Sequence, residues 1–279
     1  MLSLLFLFAC TDKSDSSDDT EDTSVQQESI CHLLPEGQVS LPDDEAAHDE
    51  DLEWWYYTGH LQDDIGNWYG FEHVFFLFKY SNVTALMAHH ALTDVSAQTF
   101  EYDVQYEVYT GEPAEMGFNF LLGDHGITGG GGTDALFGMT ENYALDLQLR
   151  NTKAPVFQHG DGYHDYNFDG YTYYYSRPRM TASGTIFQDG QETPVSGMAW
   201  FDHQWGALSE ATLVGWDWFA LQLDDGRDIM LFNLRESGGD NLVGGSSTDA
   251  LCYSSDLDPA DVTITPTGSW ESPNSGCTY

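Results

Sequence analysis

The sequence predicts an all-β protein, built as a closed antiparallel barrel or as a sandwich. From Glu53 onward, short aromatic and β-branched runs alternate with Gly, Asn and Asp, the pattern of strands joined by tight turns. No stretch of a dozen residues carries the apolar stripe of a helix. Strands in such number need closure or face-to-face packing to hide their edges.

Strands are expected at 53–62, 68–80, 84–93, 100–109, 116–122, 142–150, 171–178, 180–188, 193–204, 214–224 and 227–235. Asp189-Gly190 and Asp224-Asp225-Gly226 suit the hairpins between consecutive strands. Residues 133–140 have room for one helical turn. The run Gly129–Gly132 lacks a following Gly-Lys-Ser/Thr and reads as a flexible connection, not a phosphate loop. Asp165, Asn167, Asp169 and Gly170 match the opening of a calcium loop, but its twelfth position is Ser176 instead of Glu. That segment reads as an acidic turn.

With 41% hydrophobic and 14% aromatic residues in 279, the chain has ample apolar surface for a core. Eight Lys and Arg against 46 Asp and Glu give a net charge of −38, which repels phosphate backbones and excludes nucleic acid as a partner. Residues 1–10, MLSLLFLFAC, resemble a lipoprotein signal peptide with Cys10 as the lipidated residue. The run is shorter than the roughly 20 residues of a transmembrane helix. Residues 11–44 read as a disordered acidic tether; from Asp12 to Glu50 there are 13 acidic residues and one basic residue. The expectation is an extracytoplasmic protein that meets the membrane only through its lipid. With Cys10 lipidated, an oxidising compartment would allow one bridge among Cys31, Cys252 and Cys277, expected between Cys252 and Cys277. No Cys-x-x-Cys and no His pair four apart with Glu beside it points to a metal.

Alternation singles out 193–205. Ala199, Phe201, His203 and Trp205 share one face, and Trp200, Asp202 and Gln204 share the other. His203 beside Trp205 sets a titratable ring against an aromatic wall, suited to donating or accepting a proton near neutrality. The plainer reading is a buried histidine satisfied by a carbonyl. Trp216 and Trp218 share a face, and Trp55 and Tyr57 share another. One aromatic set packs the core while the other lines a cavity or interface, and periodicity does not say which. His89 and His90 are adjacent on a strand, so they face opposite ways and cannot jointly hold a metal.

The runs EWWYYTGHL (53–61), YGFEHVFF (69–76), MAHHALTD (87–94), YYYSRPRM (173–180), VSGMAWFDHQWG (195–206) and GWDWFALQLDDGRDIMLFNLR (215–235) resemble the AttH-like secreted proteins, a group often labelled secreted hydrolases. Carotenoid 1,2-hydratase, kievitone hydratase and fungal Diels–Alderases resemble the same lipocalin-like group. The resemblance implies two lipocalin-like barrels side by side, with an apolar ligand in a barrel or between the two. It also implies chemistry by protonation and water capture, without metal or redox cofactor. The group's His-x-Trp falls on His203 and Trp205. The later strand Met230–Arg235 offers Asn233 but no Tyr plus Asp pair, a departure that counts against carotenoid hydration.

On this basis residues 45–235 are the first barrel and 236–279 the beginning of a second, truncated one. That end would leave an open edge able to pair with another copy. His203, Trp205 and Asp202 are the catalytic candidates, with Asp202 equally suited to anchoring its strand. Trp55, Tyr57, His90, Tyr174, Trp216 and Trp218 are the candidate ligand-binding residues. Three readings stay open: an acid–base enzyme acting on an apolar substrate, a carrier of such a molecule, and an inactive remnant.

Overall fold

A computed structural model describes residues 29–111, 114–166, 170–208, 213–236, 241–272 and 276–278. Cys10, the tether up to residue 28, and 167–169 of the calcium-like turn lie outside the described residues. The molecule is all-β. One sheet contains β1 (Leu52–Asp63), β2 (Trp68–Tyr80), β3 (Val83–Asp94), β4 (Thr99–Val108), β5 (Phe118–Leu122), β6 (His125–Gly129), β7 (Thr133–Met139), β8 (Tyr143–Asn151), β9 (Val156–Phe157), β10 (Tyr163–Tyr166), β11 (Gly170–Gln188) and β12 (Gln191–Leu208). The other contains β13 (Leu213–Gln222), β14 (Asp228–Glu236), β15 (Asn241–Thr248) and β16 (Ser254–Asp256).

Ten strands of the first sheet follow the order β4-β3-β2-β1-β12-β11-β8-β7-β6-β5, with β9 and β10 added on β11. The sheet curls into a nearly closed antiparallel barrel. Side chains of the end strand β4 reach across the remaining gap to His125 at the start of β6 and to the turn between β7 and β8. Asp103 accepts from His125 at 2.8 Å, and Glu101 accepts from Thr140 at 2.6 Å and from the Asn142 side chain. Strand β4 inverts the usual alternation: Phe100, Tyr102, Val104, Tyr106 and Val108 are exposed, while the acids between them reach across the seam.

Inside the barrel, period-2 alternation delivers Trp55, Tyr57 and Leu61 from β1, Phe71 and Phe75 from β2, and Phe201, His203 and Trp205 from β12, all buried. These rings fill the interior as a packed core. Gly59 lies on the same inner row. A side chain there would strike the Phe71 ring at 2.7 Å and the Met198 carbonyl at 2.5 Å, so the close approach of β12 requires glycine.

The second sheet, of order β13-β14-β15-β16, packs on the outside of the barrel. Tyr174, Trp200 and Met230 form its small core, with Trp218, Ala220 and Phe232 against them. Gln222 donates to the carbonyls of Pro178 and Ala199, and Ser246 donates to Gln158 at 2.7 Å.

Four expectations change. The division between the sheets falls after β12, so β13 and β14 belong to the separate sheet and not to the barrel. Residues 133–139 form strand β7 instead of the helical turn expected over 133–140, because Asp134, Leu136 and Gly138 alternate inward between β6 and β8. The segments 171–178 and 180–188 form one strand, since a bulge between Arg177 and Met180 absorbs Pro178. Finally, Cys252 pairs with Cys31, not with Cys277. Tight turns hold the pair in place: Ile30 donates to Leu251 at 3.1 Å, which brings the two Cα atoms to 5.1 Å.

Candidate functional site

Two polar networks meet on β12, one on each face. On the inner face His203 is fully buried, and its Nε2 lies 2.7 Å from Glu53 Oε1. The same oxygen lies 2.8 Å from His48 Nδ1, and the other Glu53 oxygen accepts from the His48 backbone at 2.8 Å. His48 stacks on Trp205 with centroids 4.1 Å apart, and His203 stacks on Trp55 at 4.6 Å. Burial pushes the His203 pKa down, against the opposing pull of Glu53. Burial pushes Glu53 up, but its bonds to the two imidazoles more than offset this and leave it lowered. Donor atoms of His48, Glu53 and His203 lie within 4.8 Å of one another, the one such group among the described residues that could hold a metal ion.

On the outer face Asp202 is buried and triply bonded, accepting from Tyr174 at 2.8 Å, Ser176 at 2.5 Å and the Trp200 indole at 2.7 Å. Burial pushes its pKa up to about 6 although all three bonds favour the carboxylate. The Trp218 indole donates to the Tyr174 hydroxyl at 3.3 Å. This chain of bonds joins the barrel to the second sheet.

Beside it lie two cavities. One, of about 270 Å³, is walled by Thr58, Gly59, His60 and Trp200 from the barrel and by Trp218–Gln222 from β13. The other, of about 240 Å³, continues across the outer face of β1–β4 and includes Glu72, Thr93 and Phe100. They meet along Thr58, Gly59 and His60, forming one groove.

The structure thus separates the candidates. His203, Trp205, Trp55 and Tyr57 belong to the filled interior; Tyr57 donates to Asp134 at 3.0 Å. His90 also points inward, its Nδ1 3.0 Å from that of His73, with His125 alongside at a centroid distance of 5.8 Å. Trp218 lines the groove together with Trp200, Asp202 and Tyr174 are buried behind these rings, and Trp216 stands exposed farther along β13. Sequence reasoning missed Glu53, His48, Glu72, His73 and His125. Glu53 was within reach, because it shares the parity of Trp55 and Tyr57; His48 and His125 were not, because their places depend on loop paths and on closure of the barrel.

A nearly closed antiparallel barrel with a separate four-stranded sheet packed beside it defines an all-β barrel protein. Residues 32–279 match the AttH-like family, and the chain belongs to it. No curated protein matches the sequence. Among solved structures, a protein assigned as AttH from Nitrosomonas europaea is similar at 26% identity and a TM-score of 0.78, over 88% of this chain and 82% of that one. Kievitone hydratase from Nectria haematococca is similar at 16% identity and a TM-score of 0.69, over 90% of this chain and 79% of that one.

Proposed function

We propose that this protein binds an apolar small molecule in the groove between the outer face of a lipocalin-like barrel and the four-stranded sheet. The observation that carries this reading is the contrast between a barrel filled with side chains and an aromatic-walled groove outside it. Each cavity alone is smaller than the roughly 300 Å³ at which drug-sized sites begin, so a ligand of that size has to span both.

The Tyr174 hydroxyl, bonded to Asp202 and to the Trp218 indole, forms with Asp202 an acid–base pair directly behind the groove wall. A fold shared with a protein named as a hydratase supports hydration by proton transfer as the chemistry of an active form. A carrier that only binds is the second reading, favoured by the Trp200 and Trp218 rings that stand between Asp202 and the open space. The bridge from Cys31 to Cys252 supports an extracytoplasmic setting.

Titration with an uncharged lipophilic naphthylamine dye, followed by tryptophan quenching, tests the site. Trp218→Ala is expected to weaken binding by about 1–3 kcal/mol, and Phe201→Leu inside the barrel to leave it unchanged. The opposite pattern would move the ligand into the barrel.

A further inference from the structure

Glu72 lies at the centre of the outer face that the groove crosses. Register sets Thr58 of β1 and Ala91 of β3 beside it, and continues to Trp200 of β12 and Tyr102 of β4. A row across five strands therefore carries an aromatic residue at each end and a carboxylate in the middle. Tyr56 and His60 flank the row on β1, His89 and Thr93 on β3, and Phe100 on β4.

Among the described residues no cation pairs with this carboxylate. Glu72 is half-buried, and burial alone accounts for its raised pKa. Among the described residues every lysine and arginine except Arg150 is already paired with another acid: Lys79 with Asp49, Lys153 and Arg179 with Asp228, Arg177 with Glu45, Arg227 with Asp225, and Arg235 with Asp217. Of the titratable neighbours, Tyr56 and Tyr102 are driven further towards their neutral forms, in part by the charge of Glu72 itself. His89 is likewise held neutral by burial.

We propose that the occupant of the groove is an amphiphilic organic cation, an amine or quaternary ammonium on an apolar body, whose positive end pairs with Glu72. This rests on the reading of the groove as the ligand site. A carboxylate held partly out of water without a counter-charge is costly, and a ligand cation supplies what the chain withholds. Aromatic faces attract cations most strongly when both are desolvated, and Trp200, Tyr56 and Tyr102 stand around the charge. The net charge of −38 raises the local concentration of cations and disfavours anionic ligands.

The test uses the whole chain and three dansyl probes with the same undecyl chain, ending in trimethylammonium, in methyl and in carboxylate. Titrations run at about 0.5 M salt, where diffuse attraction to a negative surface is screened. The ammonium probe is expected to bind at least about tenfold more tightly than the methyl probe. Glu72→Gln should erase that preference while changing methyl-probe affinity less than about twofold, and Glu192→Gln, exposed at the start of β12, should change neither. Equal binding of ammonium and methyl probes, or an unchanged preference in Glu72→Gln, overturns the cation assignment and leaves the groove reading standing. No saturable binding by any probe overturns both.

Discussion

Lys153 of the barrel and Asp228 of the second sheet form a buried ion pair, with Nζ 2.6 Å from the carboxylate. Lys153 also donates to the carbonyls of Gly226 at 2.6 Å and Asp249 at 2.9 Å, and Arg179 reaches Asp228 at 2.7 Å. Two cations from the barrel thus converge on one acid at the start of β14.

Removing that acid strands both cations. Asp228→Ala is expected to cost about 3–5 kcal/mol in urea unfolding, with tryptophan emission changing first as Trp218 leaves its seat. Pairing Lys153→Met with Asp228→Leu should recover the share of the loss that the buried Lys153 causes, because replacing both removes the desolvation problem as well as the attraction, while the more exposed Arg179 stays unpaired. A double variant no better than Asp228→Ala would show that the two residues do not act as a pair.

The bridge between Cys31 and Cys252 closes a span of 221 residues. Chain entropy alone predicts that its loss destabilises the fold by about 5 kcal/mol. Cys31→Ser should lower the urea midpoint of the oxidised protein, and dithiothreitol should bring the parent down to the same value. A midpoint indifferent to reductant would mean that the bridge does not form.

Acid sensitivity should arise at His73 of β2 and His90 of β3. Burial first, then the neighbouring imidazoles, holds His73 well below its ordinary pKa and pushes His90 down to about 4. Between the ordinary value near 6.5 and the folded value, the unfolded chain binds protons that the folded chain refuses. Stability therefore falls as pH drops from about 6.5 towards 4, by about 3 kcal/mol for His90 alone. His90→Gln should flatten that slope in urea titrations at pH 7, 5.5 and 4; an unchanged slope would assign the sensitivity to other groups.

His203→Gln should act on stability and not on the groove. It leaves Glu53 with one imidazole where it had two, at a cost of about 1–3 kcal/mol, while neutral-dye affinity stays at the parent value. Loss of dye binding or of turnover in a variant of unchanged melting temperature would instead put the chemistry inside the barrel.

Alternation made the faces of β1 and β12 legible, because one buried face forces a period of two. The parity that put His203 with Phe201 and Trp205 is the parity found. Sheet membership was not legible. β13 and β14 show the same local pattern as barrel strands, and only long-range pairing separates them. β6 and β7 escaped notice because Gly126, Gly129 and Gly138 dilute their strand signal, although Gly138 is demanded by the His90 ring, which would lie 2.6 Å from an added side chain. The role of Glu72 was hidden for a related reason: a single outward acid on a strand looks solvated until the strands beside it are known to be aromatic.

The inverted alternation of β4 bears on how the barrel moves. One edge of β4 is laddered to β3 along its whole length, but its apolar residues face out, so its other edge is held to the barrel by the clasps of Glu101 with Thr140 and Asn142 and of Asp103 with His125. Such clasps are polar, partly exposed and weak one by one, whereas backbone ladders elsewhere bind strand to strand along their whole length. The seam at the free edge of β4 is where opening is expected first, and amide protons of β4 that face it should exchange ahead of those of β1 and β12. Because Phe100 and Tyr102 lie on that same strand, an opening of the seam would also flex the far wall of the groove, a route of entry for a bulky molecule that the static outline does not display.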